Sequence, residues 1–490
     1  MRARASVRGE GKRKSTLALR LSLPVGLGLG LIAAGFTGLS FGFEPFATWF
    51  YVFAWYGTLL VVDAAIALTG GPPGAGMRRF LFLGRGEFTL TLLGWSAVLW
   101  FFFELLNFRL RNWYYVFVPD EPFARMAGVT LSFATVLPAV LGVSTLLANL
   151  GLGRRARCPR LQLTPRRLKA IQGAAVLLLL LPLARPTWFF PLVWGFTTLL
   201  LEPWVYRRAP ERSLLHDLEH GRPGRILRLL ASGVLVGLLW EVFNLRARSK
   251  WIYTVPGLDG WKLFEMPLPG FLGFPPFAID CFVIWQALVV AGLAVPRVGP
   301  VFPASAKRRG AATVLAAFLA AGALRGMEAR TISSYTPRLE GLATVVRAAG
   351  GDAERTEREA ARLAAAGYDV FGVAQATPAE LARRAALDPT SSATWVRAAR
   401  LAVLRGIGTE HARRLIVFAG IDSVERLAAA DAGQLALRLA RVSDDVVPAR
   451  IRVWVRAARR EAGNPALESN HDTDASMRDA ARRAAGDHGL

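Results

Sequence analysis

The sequence predicts an all-α protein: a polytopic membrane helix bundle of two tandem four-helix repeats, followed by a small soluble helical domain. Three observations lead there. First, 53% of the 490 residues are hydrophobic while 60 Lys and Arg stand against 36 Asp and Glu, a combination that suits neither an ordinary soluble enzyme nor a disordered chain. Second, eight segments approach or meet the length of apolar chain that crosses a bilayer, about 20 residues per helix. Third, the polar residues inside those segments recur at nearly fixed offsets.

A basic arm, residues 1–18, precedes the first span at 19–42. That span is too apolar and too long for a cleaved leader and lacks a small-residue cleavage pattern, so it reads as a retained anchor. The others follow at 46–69, 87–107, 126–150, 169–186, 188–206, 226–245 and 271–296, the fifth being short and running into Pro182 and Pro186. Cytoplasmic loops hold the excess of Lys and Arg. The arm, the loop with Arg78, Arg79 and Arg85, the loop GRRARCPRLQLTPRRLK and the loop 207–228 are all basic and alternate correctly. The N-terminus is therefore expected in the cytoplasm, with the chain in a bacterial inner membrane. Two outer loops, RLRNWYY and RARSKWIY, break the rule by being cationic. Cys158 and Cys281 lie in different kinds of segment, so no disulfide framework is implied.

The repeats span 19–150 and 169–300, joined by a basic loop at 151–168. TWFYVFAWYGTLLVVD, ending at Asp63, matches TWFFPLVWGFTTLLLE, ending at Glu202, at an offset of 139. FELLNFRLRNWYY matches WEVFNLRARSKWIY at an offset of 137, which pairs Glu104 with Glu241 and Asn107 with Asn244. Phe123 and Phe133 pair with Phe264 and Phe274 at an offset of 141. An even number of helices per unit gives both units one orientation, a parallel repeat about an axis along the membrane normal.

Glu104 and Asn107 are three residues apart, as are Glu241 and Asn244, so each pair lies on one helix face. Ionisable groups inside spans are costly and mark sites. This makes Glu104 and Glu241 candidate catalytic groups, with Asn107, Arg109, Trp113, Tyr114, Asn244, Arg246, Arg248, Trp251 and Tyr253 as candidate substrate contacts near the outer face. Asp63 and Glu202 form a second acid pair, and Asp280 is an intramembrane acid without a counterpart. The competing reading is plain: Glu–Arg pairs neutralise one another at helix ends, and Trp and Tyr form an interfacial belt.

The order W-E-x-x-N-x-x-A-R-x-x-W-x-Y from Trp240 to Tyr253, then Gly260, Pro267-Leu268 and Phe271-Leu272, resembles the membrane-bound lycopene cyclase domains of carotenoid pathways over roughly fifty residues. The resemblance implies protonation of an alkene by a buried acid such as Glu241 or Glu104. Where that family carries an acidic pair, this chain reads Pro267-Leu268-Pro269-Gly270. Other constellations are weak. His216 and His220, four apart beside Asp217 and Glu219, have a spacing that can hold a metal, but an amphipathic loop helix explains them as well. No Gly-rich phosphate loop or Cys-x-x-Cys pair is present. No cofactor and no metal is expected.

Residues 301–354 read as a linker whose apolar run 311–324 is short for a span and suits an interfacial helix or a ninth crossing. On length, a non-crossing run and a cytoplasmic tail are the expectation. From 355 to 463 the pattern is helical and duplicated: Thr356-Glu357, Gly367 and WVRAARL match Thr409-Glu410, Gly420 and WVRAARR. The stretch LRGIGTEHARRLIVFAGIDSVERLAAADAGQLALRLA resembles a helix-hairpin-helix unit, with Gly406-Ile407-Gly408 as hairpin and Thr409 capping the next helix. The resemblance extends to tandem helix-hairpin-helix domains of unknown function in bacteria. It implies that Gly406, Gly408 and Thr409 contact a phosphate or a partner through the helix N-terminus. In the first copy Ala353-Glu354-Arg355 replaces the hairpin, so that copy is expected to be structural. Residues 331–490 hold 23 Arg and 20 Asp and Glu, too small an excess for phosphate neutralisation to drive DNA binding. A protein partner or self-association is favoured over nucleic acid. Residues 464–490 read as disordered.

The functional reading is an integral membrane protein with a pseudo-symmetric polar site, binding or processing an isoprenoid- or phospholipid-like substrate from the membrane lipid around it. Two alternatives stay open. One is a secondary transporter with paired acids, the other a membrane scaffold whose tail recruits a protein or nucleic-acid partner. Enzymatic activity is undecided.

Overall fold

A computed structural model describes residues 2–70, 80–255, 262–441 and 447–463. The expected disordered tail, the cations Arg78 and Arg79, and Gly260 lie outside the described residues. The protein is an all-α, multi-pass membrane protein: among the described residues, eight helices are long and apolar enough to cross a bilayer. They are not the expected eight. Residues 188–206 do not form one continuous helix, whereas 311–324 is the middle of a 25-residue helix that qualifies. The chain divides into two compact units. One comprises 1–112, 121–248 and 255–327, and the other 113–120, 249–254 and 328–490.

In the first unit, helix α1 (Arg2–Phe41) already includes the basic arm, and it turns into α2 (Phe50–Thr69) where Glu44 accepts from the amide and hydroxyl of Thr48. Helix α3 (Gly86–Leu110) ends on Arg111 in left-handed conformation. Helices α4 (Pro122–Phe133) and α5 (Val136–Asn149) together make one crossing, broken at Ala134 and Thr135. The second half runs through α6 (Pro165–Ala184), the single turn α7 (Pro186–Phe189), a 3₁₀ turn at Phe190–Val193 and α8 (Phe196–Arg208). A short helix α9 (Leu214–Glu219) leads to α10 (Gly224–Arg246), then α11 (Phe274–Val290) and α12 (Ala306–Arg330). Lipid-facing side chains such as Leu90, Leu177, Leu235 and Phe318 remain exposed, as an apolar solvent permits.

The repeat is visible in reciprocal contacts. Trp55 of the first half packs on Trp240 of the second at 5.9 Å between centroids, and Trp194 of the second packs on Phe103 of the first at 5.3 Å. Subtracting the sequence offsets turns one pair into the other, as a twofold relation requires. Within each half, the carbonyl of Phe133 or Phe274 is met by residue 96 or 233: Ser96 donates its hydroxyl to Phe133 O at 2.7 Å, while a Cβ on Gly233 would fall 2.5 Å from Phe274 O. The third matched block holds at Phe133 and Phe274 but not at its start. Phe123 is an exposed residue of α4, whereas Phe264 has φ 58° in the turn between β3 (Lys262–Leu263) and β4 (Met266–Pro267).

In the second unit, β1 (Trp113–Val116) pairs antiparallel with β2 (Lys250–Tyr253). Residues 331–336 run parallel to 115–118, with Tyr115 N donating to Thr331 O at 2.7 Å and Ser333 N to Tyr115 O at 2.8 Å. Helix α13 (Leu339–Ala348), in the stretch expected as linker, contributes Leu342 and Val345 to the helical core. Two successive sets of four helices follow. The first is α14 (Ala353–Ala365), α15 (Val370–Gln375), α16 (Pro378–Ala385) and α17 (Pro389–Val403); the second is α18 (Gly408–Ala419), α19 (Val424–Ala429), α20 (Ala432–Ala440) and α21 (Pro448–Glu461). Their lengths agree to one residue position by position, and the caps correspond: Asp369 with Ser423, Thr377 with Asp431. Each capping oxygen accepts a backbone N–H that the helix itself leaves over.

Candidate functional site

Glu104, Asn107, Glu241 and Asn244 are each fully buried, at 0% exposure, inside the first unit. Burying one face of α3 and one of α10 follows from their i, i+3 spacing. Glu104 accepts from Trp100 Nε1 at 3.0 Å, one turn back on the same helix. That partner was readable from the i, i+4 spacing. Asn107 accepts from Asn112 N at 2.9 Å and so closes the C-terminal end of α3. Trp100, the partner of Glu104, belongs to a continuous set of rings. Phe277 stacks edge-on to Trp100 at 5.7 Å, Phe103 at 5.5 Å and Trp194 at 5.4 Å, and Trp240 lies 6.0 Å from Phe277. The interior between the halves is thus filled by aromatic side chains.

The other candidates have different places. Arg109 is exposed and donates to Ala184 O at 3.2 Å; Arg246 is exposed, and Arg248 is half-buried near Gly42. Trp113, Tyr114, Trp251 and Tyr253 belong to the ribbon of the second unit, where Trp113 faces Tyr253 and Tyr114 faces Ile252. Tyr114 is buried with Val116, Phe117, Ile252 and Val453, and the Arg450 guanidinium lies 5.0 Å from its ring centre. These aromatics pair with one another in a sheet, the alternative that neither a flanked pocket nor separate interfacial anchors anticipates.

Asp63 and Glu202 do the same structural work. Asp63 accepts from Leu81 N at 2.5 Å and from the amides of Phe82 and Leu83, which organises the loop after α2. Glu202 accepts from Ser213 Oγ at 2.6 Å, from Leu214 N and from Leu215 N at 3.0 Å, the start of α9. Asp280 is not unpaired. It accepts from Gly195 N at 2.7 Å, Thr198 N at 2.9 Å and Thr198 Oγ1 at 2.6 Å, which caps α8 where the crossing is interrupted. A helix that starts inside a bilayer must have its first amides satisfied by protein, and Gly195, at φ 113°, makes the sharp entry.

His216 and His220 rings lie 4.2 Å apart, while Asp217 is held by Arg225 and Glu219 by Tyr206. Among the described residues no group of three or more His, Cys, Asp or Glu is arranged to hold a metal.

The hairpin Gly406-Ile407-Gly408 closes on its own unit. Both glycines have positive φ, 71° and 76°. A Cβ on Gly406 would sit 2.3 Å from Val116 Cβ, and one on Gly408 2.7 Å from Ser334 Cβ. Ser334 Oγ accepts from Phe117 N at 3.3 Å and donates to Gly406 O at 2.7 Å, and Ile407 is fully buried. Ser334 carries no sequence signal for this role. In the first copy, Asp352 caps α14, and Arg355 reaches Glu359 and Asp388. Burial pushes the Glu359 carboxyl up, but hydrogen bonds from Trp395, Arg355 and Ser391 outweigh it and leave it below its ordinary range.

Compared with known proteins, the chain matches no family model, no curated protein and no solved structure.

Proposed function

We propose that the protein is a membrane scaffold: a helix bundle that anchors a tandem helical unit for engagement of a protein partner or a second copy. The observation that carries this reading is the closure of the Gly406–Gly408 hairpin on Val116 and Ser334. The loops after α3 and α10 pair as strands of the second unit and the exit from α12 runs beside them, so residues that resemble a substrate site serve to hold a domain. With the hairpin face covered by the chain itself and only a small cationic excess in the tail, phosphate binding at the hairpin is disfavoured.

Sidedness follows by parity. Backbone that pairs within one compact unit is taken to lie on one side of the membrane, so this reading puts residues 113, 250 and 331 on the side where α3 ends. An even number of crossings then separates them, which requires the interrupted α7–α8 segment to cross and α12 to cross as the partner of α11. With the basic loops cytoplasmic, the tail is external, opposite to the expectation drawn from the length of 311–324. The test is labelling of Gln434→Cys, in a Cys158→Ser/Cys281→Ser background, by a membrane-impermeant maleimide. Labelling in intact cells is expected; labelling only after permeabilisation defeats the assignment.

A second reading has one observation in its favour, the complete burial of Glu104 and Glu241, since buried intramembrane acids are expensive. In that reading the pair serves a lipophilic or proton-linked substrate. Glu104→Gln/Glu241→Gln separates the two: the scaffold keeps partner recruitment, and the lipid-site reading requires loss of a copurifying lipophilic species in mass spectra of extracts.

A further inference from the structure

We propose that Trp55 and Trp240 bind a neutral, carbonyl-bearing lipophile, with their indole N–H groups donating to its oxygen. Trp55 lies on α2 and Trp240 on α10, both inside helices long and apolar enough to cross a bilayer. Their ring centroids are 5.9 Å apart. Trp55 is 1% and Trp240 5% exposed, and among the described residues neither Nε1 has a hydrogen-bond partner. A donor buried within a span has no bulk water to meet it, and leaving it unmet is costly. Ring faces do not take the place of an acceptor at Trp240: Trp55, Phe274 and Phe277 meet it at tilts of 53°, 50° and 52°, not edge-on.

Packing alone does not call for both donors. At the offset of 137 that pairs Glu104 with Glu241, Trp240 corresponds to Phe103, and at 139 Trp55 corresponds to Trp194. In that matched contact Phe103 stacks on Trp194 at 27°, so a ring without an N–H fills the position. The half that keeps two indoles also keeps polar neighbours. Tyr51 lies 6.2 Å from Trp55 between centroids and is close enough to interact with the Glu241 carboxylate, which follows Trp240 in the chain. That acid disfavours an anionic ligand, and a hydrocarbon offers the indoles no acceptor. A neutral carbonyl meets both conditions, and the apolar remainder of such a molecule suits rings such as Phe243, 5.5 Å from Trp55.

The inference rests on the second reading above, a lipophilic substrate at the buried acids, and adds what that substrate must carry. It is tested on the purified full-length protein by native mass spectrometry, with decylubiquinone as the carbonyl probe and squalene as the hydrocarbon. Decylubiquinone is expected to bind wild type about tenfold more tightly than Trp240→Phe, which keeps a ring and removes one buried hydrogen bond. Trp55→Phe should weaken it likewise, and carries the test if Trp240→Phe fails to fold; Trp194→Phe should leave it unchanged. Squalene should bind more weakly and be indifferent to all three. Equal decylubiquinone binding by wild type and both donor variants overturns the inference while the lipophilic site stands, as does squalene bound as tightly as the quinone. A parallel loss of both probes would reduce the effect to packing and equally overturn it, and so would binding of neither. Failure of the underlying reading shows separately, as an unchanged copurifying lipophile in Glu104→Gln/Glu241→Gln.

Discussion

Asp63 in the first half of the bundle and Glu202 in the second occupy matched positions, and both collect the backbone amides of the loop that follows. The helices that carry them differ. Helix α2 is continuous from Phe50 to Thr69, whereas its counterpart breaks at Phe190–Gly195 and restarts under Asp280. The residue matched to Asp280 at the offset of 141 is Ala139, because an unbroken helix leaves no amides at mid-membrane to satisfy. A similar exchange occurs at Ser96 and Gly233: one half spans the gap to the next helix with a hydroxyl, the other removes the side chain and lets backbones touch. Duplicated sequence therefore preserves which position meets which, while the chemistry at each meeting diverges.

The same comparison in the tail yields the largest expected effect. The second copy has a glycine hairpin and the first does not, so Gly406→Val should cost about 3 kcal/mol or more through left-handed strain and overlap with Val116. Hydrogen exchange should then rise across 331–336 and 404–408; protection equal to wild type there would show that the hairpin is not the fastening.

Next in size are the buried acids. Asp63→Ala and Glu202→Ala each strand several buried amides and are expected to destabilise the protein in detergent by about 3 kcal/mol, by similar amounts if the two are equivalent. A large inequality in denaturation midpoints would break the equivalence. Asp280→Leu should lose about as much, and Ala139→Asp should be unfavourable instead of neutral, because no interrupted helix awaits it.

Smallest is the pH effect at Glu359. Its folded-state pKa is depressed, so its stabilisation is present above the ordinary carboxylate range and fades as pH falls through the folded value. Glu359→Gln should flatten the acid limb of local exchange at α14 and α17, by about 1 kcal/mol or less; an unchanged limb would assign the acid dependence elsewhere.

Much of this was legible beforehand. Periodicity and apolar length located α2, α3, α5 and α10 because a bilayer imposes a length that chemistry cannot evade. The matched Glu-x-x-Asn faces announced the repeat, since costly polar groups do not recur by composition alone. Residues 188–206 hid a break because Pro191 and Gly195 sit within a run apolar enough to count as a span, and hydropathy sums are blind to backbone continuity. The pairing of Trp113-Tyr114 with Trp251-Ile252-Tyr253 was not legible: four-residue strands leave no periodic signature, and their pairing partners lie more than a hundred residues away.

By itself, then, the sequence determined the placement of most of the long apolar helices, the two duplications and the identity of the buried acids, all of them consequences of local composition and spacing. Tertiary structure decided what those acids do, how the segments after α3 and α10 pair and what covers the hairpin. Each of these depends on which distant donor or backbone arrives within hydrogen-bonding reach, and that is set by packing.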